Sequence, residues 1–131
     1  MIGHLVLNVA DIDRSEQFYD TLFALCGRYK RWREDDGGCS IVSYGCAWYP
    51  TPIMLRSHTD EEQQTFIRTP WLDHLCLRVT SRSIVDDTYD LVQEYGYTIS
   101  AEPADHSEYC DPYYAFSFRD ADALPLEIAY F

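Results

Sequence analysis

The chain carries the same segment twice. His4-Leu5-Val6-Leu7-Asn8-Val9 returns as His74-Leu75-Cys76-Leu77-Arg78-Val79, and Tyr19-Asp20 returns at the same offset as Tyr89-Asp90. A repeat of this length restricts the fold to two similar units, each too small to bury enough apolar surface alone and therefore expected to share one compact domain. Each copy also opens on a histidine, in a chain that has only four. Two of them at equivalent places in a duplicated strand point to one shared site.

Each copy reads as βαβββ. In the first, residues 3 to 9 alternate as a strand, Asp11 or Asp13 can cap a helix over residues 14 to 26, and Gly27 stands where a left-handed C-terminal cap is needed. Extended runs follow at Arg28 to Arg33, Cys39 to Tyr44 and Pro52 to Arg56, separated by Asp35-Asp36-Gly37-Gly38 and Tyr49-Pro50-Thr51-Pro52. In the second, Leu72 to Val79 is a strand, Ser81 or Ser83 caps a helix carrying Ile84, Val85, Leu91, Val92 and Tyr95, and Gly96 ends it. Strands follow near Tyr97 to Ala101, Tyr113 to Arg119 and Leu126 to Tyr130, with Asp120-Ala121-Asp122-Ala123 as the last turn. The division is residues 1–57 for the first module, 58–70 for a polar linker and 71–131 for the second module, within an α+β fold of two tandem βαβββ modules.

Composition excludes several functions. Twenty-two acidic against ten basic residues give a net charge of -12, so a nucleic-acid partner, which needs a cation-rich surface, is not expected. The densest basic run, Arg28 to Arg33, reads as a solvated strand or loop. No apolar stretch approaches the roughly 18 residues of a membrane span, and no cationic start leads into an apolar signal core, so a cytoplasmic protein with no membrane partner is expected. Five cysteines, odd in number and without a C-x-x-C pair, read as reduced thiols. His58 in the polar stretch and His106 in an acidic loop read as solvated. The tyrosines and tryptophans, Tyr44, Trp48 and Tyr49 among them, could line an aromatic pocket or equally a core.

Strand parity gathers the chemistry. Leu5, Leu7 and Val9 should pack on the helix, which leaves His4, Val6 and Asn8 on the other face, and likewise His74, Cys76 and Arg78 in the second copy. In the last strand Leu126, Ile128 and Tyr130 take the helix side, so Glu127 faces the other way. A carboxylate inside such a strand needs a partner. Two imidazoles and one carboxylate around a divalent cation supply it, in a facial arrangement that leaves positions open for water or substrate. Tyr113 and Ser117 share the Glu127 face and could hydrogen-bond a substrate; Asn8 and Arg78 share the histidine faces, where Arg78 could fix an anionic group. Taken singly, each of these residues also fits a plain packing or surface role. Cys76 fits a small packing residue better than a reactive thiol.

The duplicated βαβββ order, the histidine opening each module, and the run Tyr113 to Asp122 leading into Leu126-Glu127 together resemble the vicinal oxygen chelate superfamily: glyoxalase I, fosfomycin-resistance thiol transferases, extradiol dioxygenases and bleomycin-resistance proteins. The resemblance covers essentially the whole chain. It implies a half-open barrel around a shared cleft, metal-ligand positions at His4, His74 and Glu127, a divalent ion (Mn, Fe, Ni or Zn), a small oxygen-chelating substrate and a homodimer. It also implies an enzyme of glyoxalase or dioxygenase type, the reaction left open among lyase, isomerase, dioxygenase and thiol transfer. A drug-sequestering binder using the same cleft is the alternative, although such proteins generally lack the metal triad. Two departures stand out. The usual Asp-Pro-Asp-Gly turn is Asp120-Ala121-Asp122-Ala123 here, and Met54 aligns with Glu127 where glyoxalase I-like enzymes carry a fourth ligand. Three protein ligands are therefore expected, with no residue assigned as catalytic base.

Overall fold

The structure, a computed structural model, describes residues 2–46, 51–58 and 73–131. The chain divides into two compact units, Met1–Arg68 and Thr69–Phe131. Each is a four-stranded sheet with one helix, which makes the protein α+β with two βαβββ modules.

In the first unit β1 (Leu5–Asn8) leads to α1 (Ile12–Leu25), then β2 (Tyr29–Asp35), β3 (Cys39–Gly45) and β4 (Ile53–His58). The sheet order is β1-β4-β3-β2, parallel between β1 and β4 and antiparallel elsewhere. The helix starts two residues before the sequence expectation because Asp11 is the cap; its side chain accepts from the Arg14 backbone N–H at 3.0 Å. It ends where Gly27 takes φ 72°, a conformation that costs glycine little. Phe18, Tyr19, Leu22 and Phe23 of α1 are fully buried against Val42, Tyr44 and Leu55. Each such side chain contributes about 1.5–3 kcal/mol by leaving water.

The second unit repeats the plan. β5 (Leu75–Val79), α2 (Arg82–Glu94), β6 (Thr98–Asp105), β7 (Tyr114–Arg119) and β8 (Pro125–Tyr130) form a sheet of order β5-β8-β7-β6. Ser81 caps α2 by accepting from Ile84 N–H at 3.4 Å, and Gly96 closes it at φ 68°. Leu126, Ile128, Phe116 and Phe118 are buried beneath the helix.

Two expectations need adjustment, and one open choice is decided. β4 continues through Ser57 to His58, which pairs with Cys39, so His58 ends a strand instead of opening the linker. β6 runs on to Asp105, with register shifts that accommodate it; Pro103 is tolerated because β6 is an edge strand. Tyr44 is a core residue, 1% exposed, whose hydroxyl donates to Asp20 Oδ1 at 2.8 Å. The basic run forms exposed β2, where Lys30 and Arg33 reach carboxylates of α1. The rest of the expected linker, Trp48, Tyr49 and Leu72 lie outside the described residues. All five cysteines are free thiols, and no helix among the described residues is long and apolar enough to cross a membrane.

Candidate functional site

Glu127 sits at the centre of the second sheet. Its neighbours in register are Cys76 on β5 and Ser117 on β7, all three on the face away from α2. The turn before β8 holds it there: Asp120 Oδ1 accepts from the backbone N–H groups of Asp122 at 2.9 Å and Leu124 at 2.8 Å. Ala123 completes this turn at φ 63°, a left-handed position where glycine would be unstrained.

The two carboxylate oxygens of Glu127 have different surroundings. Oε1 accepts from the Tyr113 hydroxyl at 2.5 Å and lies 3.6 Å from the Cys76 thiol. Oε2 lies 3.2 Å from His74 Nε2. His74 immediately precedes β5, and its Nδ1 is 2.7 Å from the exposed carboxylate of Asp73. Burial, followed by the pull of Glu127, raises the Tyr113 phenol above its ordinary range; burial and the Glu127 charge likewise push the Cys76 thiol up to about 12. Both therefore stay protonated at neutral pH and act as donors toward Oε1.

The donor chemistry fits a cation. Both ring nitrogens of His74 face carboxylate oxygens, and a ring that donates Nδ1–H to Asp73 has a lone pair at Nε2, so a positive species between Nε2 and Oε2 would satisfy both acceptors. A proton can fill that role, and so can a metal ion: bonds of about 2.1 Å from adjacent coordination positions put two donor atoms roughly 3.0–3.4 Å apart. An outer carboxylate on the far imidazole nitrogen is the usual companion of a metal-binding histidine. Among the described residues no three His, Cys, Asp or Glu side chains converge as a complete metal cluster.

Of the residues singled out from sequence, the structure brings together His74, Glu127, Tyr113 and Ser117. Arg78 stands further along β5, its guanidinium 4.7 Å from the centroid of Phe131, which in turn stacks on Tyr113 with centroids 5.0 Å apart. His4 is exposed, one residue before β1, the place that His74 has before β5; Asn8 ends β1 opposite Arg56. Both belong to the first unit. His106, expected to be solvated, is half-buried, with Nδ1 3.1 Å from Glu108 and its ring beside Tyr109 and Tyr113. Sequence reasoning missed Asp73 and Phe131. Adjacency to His74 was a signal for the first; nothing in the sequence marks the second.

The equivalence of the modules is visible in register. Val6 pairs with Met54 and Met54 with Ser43, as Cys76 pairs with Glu127 and Glu127 with Ser117. Met54 thus occupies the place of Glu127, and the first sheet lacks a carboxylate there.

A sequence model of the Glyoxalase/Bleomycin resistance protein/Dioxygenase superfamily matches residues 1–128. The chain belongs to this superfamily. Among solved structures it is similar to a glyoxylase/bleomycin resistance protein/dioxygenase domain from Frankia sp. EAN1pec, at 23% identity and a TM-score of 0.73, covering 99% of this chain and 96% of that one. It is also similar to a trypanothione-dependent glyoxalase I from Leishmania major, at 18% identity and a TM-score of 0.71, covering 99% and 86%. A third relative is a variant of the fosfomycin resistance protein FosX from Listeria monocytogenes, complexed with Mn(II) and 1S,2S-dihydroxypropylphosphonic acid, at 14% identity and a TM-score of 0.68, covering 99% and 91%. No curated protein sequence matches the chain. At these identities superfamily membership gives the fold, and the chemistry has to be argued from the site.

Proposed function

We propose that the protein is a divalent-metal-dependent enzyme acting on a small oxygen-chelating substrate, with His74 and Glu127 as two protein ligands and His4 as the third. The observation that carries this reading is the 3.2 Å approach of His74 Nε2 to Glu127 Oε2, backed by Asp73 on one side and Tyr113 on the other. The opening histidine of the first module supports His4 through the symmetry of the repeat. FosX with bound Mn(II) shows that one structural relative of the superfamily takes such an ion. When bound, Mn, Fe, Ni or Zn would supply Lewis-acid polarisation of substrate oxygens.

The chain's own residues have definable tasks. Tyr113 and Cys76 donate to Oε1, which leaves Oε2 as the oxygen that would hold a metal ion. Asp73, 2.7 Å from Nδ1 of His74, would accept a proton from that nitrogen and leave Nε2 free to ligate. Ser117, opposite Glu127, can offer a hydroxyl to substrate, and Arg78, held against Phe131, can offer a guanidinium to an anionic group on it. Met54 removes the fourth ligand that could double as a base. This favours reactions driven by oxygen chelation and transition-state charge stabilisation. The working form we infer is a cytoplasmic homodimer.

Metal analysis tests the proposal. Purified protein reconstituted with Mn, Fe(II), Ni or Zn should retain the ion after desalting, and His4→Ala, His74→Ala and Glu127→Ala should each lose it. Wild-type protein that stays metal-free under metal-replete conditions sinks the enzyme reading and leaves a sequestering binder in its place.

A further inference from the structure

The first unit's sheet shows a division among its basic residues. On the helix side Lys30 pairs with Glu16 at 2.6 Å and Asp20 at 2.7 Å, and Arg33 pairs with Asp13 at 2.7 Å, Glu16 at 2.5 Å and Asp35 at 3.0 Å. On the opposite face Arg31 and Arg56 form no ion pair among the described residues, in a chain with more than twice as many acidic as basic side chains. Arg56 is half-buried; its Nε is shielded from solvent and has no hydrogen-bond partner.

Register places the neighbours. Arg56 pairs with Asn8 on β1 and Ile41 on β3, and Ile41 pairs in turn with Glu34 on β2, two strands away. The adjacent row on the same face is Val6, Met54, Ser43 and Trp32, apolar but for one buried hydroxyl. Beyond that row Arg31, displaced by the β2 irregularity between Lys30 and Trp32, lays its guanidinium over Gly45, its Nε 2.3 Å from where a Cβ would stand. Glycine at position 45 is what lets this guanidinium lie on the sheet. The face therefore carries an apolar row flanked by two arginines, with an amide beside Arg56 and the Glu34 carboxylate two strands away at the end of the Arg56 row.

We propose that this face of the first unit binds the oxyanion group of a small acid, a carboxylate or a phosphate-type group, through Arg56 with Asn8 beside it, and that Arg31 adds a second, weaker cationic contact. A guanidinium that is partly desolvated and unpaired gains more from an incoming anion than an exposed one, since its hydration has already been reduced. Its planar donors match either oxyanion. The apolar row of Val6, Met54 and Trp32 suits the carbon body of an organic acid. The site stands on the first unit alone and does not depend on metal at His74 and Glu127.

The test is an amide chemical-shift titration of EDTA-treated full-length protein at constant ionic strength, with inorganic phosphate, acetate or hexanoate replacing chloride. Saturable shifts at Asn8, Ile41 and Arg56 are expected with at least one of these. Hexanoate alone would identify an organic acid, and phosphate alone a phosphate-type group. Arg56→Met should weaken binding by about tenfold or more and Arg31→Met by a smaller factor, while Arg82→Met in the second unit should change nothing. The urea midpoint of Arg56→Met should equal or exceed that of wild type, because an orphaned polar group is removed. A lowered midpoint would assign Arg56 a structural partner, and unaltered anion binding in that variant, or none in wild type, would likewise overturn the proposal. Metal retention measured in the same variants separates failure of this site from failure of the metal reading.

Discussion

Replacing Tyr113 by phenylalanine removes one oxygen from the site and leaves its packing in place. The ring keeps its stack on Phe131, 8° from parallel, and its edge contact with Tyr109 at 5.6 Å. What is lost is the 2.5 Å hydrogen bond to Glu127 Oε1, after which that oxygen has only the Cys76 thiol at 3.6 Å. Hydrogen bonds to charged groups contribute about 1.5–3 kcal/mol. Because the Glu127 side chain is 16% exposed and water can partly replace the phenol, the lower end applies, about 1.5 kcal/mol. Urea unfolding of EDTA-treated Tyr113→Phe should report that loss, and a double-mutant cycle with Glu127→Gln isolates the pair. A coupling energy near 1 kcal/mol is expected, whereas a value within about 0.3 kcal/mol of zero is what independent sites give and would refute the link. The same variant should bind its metal about 10–100-fold more weakly if Tyr113 orients a ligand carboxylate.

Three further outcomes are expected. Tyr44→Phe should cost about 1–2 kcal/mol by removing a buried donor to Asp20. Burial and Asp20 raise the Tyr44 phenol above its ordinary value near 10, so its contribution is complete below about pH 10 and is lost as pH rises toward the folded value; the gap between wild type and variant should therefore narrow in urea melts above pH 10. Ala123→Gly should stabilise the protein by about 0.5–1 kcal/mol by relieving the left-handed conformation at φ 63°, and a lower melting temperature in that variant would contradict the strain argument. With its thiol pushed up to about 12 by burial, Cys26 should resist iodoacetamide at pH 8, while exposed Cys110 reacts; peptide mapping after a timed quench would show the order.

Much of the architecture was legible because it depends on local chemistry. Asp11 and Ser81 are short acceptors ahead of apolar periodicity, and Gly27 and Gly96 stand where a left-handed residue must follow a helix. Parity along single strands also assigned Glu127, Tyr113 and Ser117 to one face correctly. Contacts fixed by cross-strand register were not legible. That Phe131 bridges Arg78 and Tyr113, or that Arg31 lies over Gly45, follows from pairings between distant segments and from a bulge that no local pattern announces. Glu127 and His74 could be named as partners from the repeat, but their 3.2 Å separation, and Asp73 behind it, could not.

Duplication explains why the two sheets can take complementary roles. Both present the same register positions on the face away from the helix, so one substitution changes the chemistry of a whole row without changing the fold. In the second unit that row is Cys76-Glu127-Ser117, with a histidine at its edge; in the first it is Val6-Met54-Ser43, with arginines on either side. A carboxylate at position 54 would offer the guanidinium groups of the same face a counter-charge. A neutral thioether there, between Arg31 and Arg56, instead leaves the cations unneutralised. Met54→Glu is thus the informative reversal: it should abolish oxyanion binding on the first unit while leaving the Glu127–Tyr113 coupling intact, because that coupling is built entirely within the second unit.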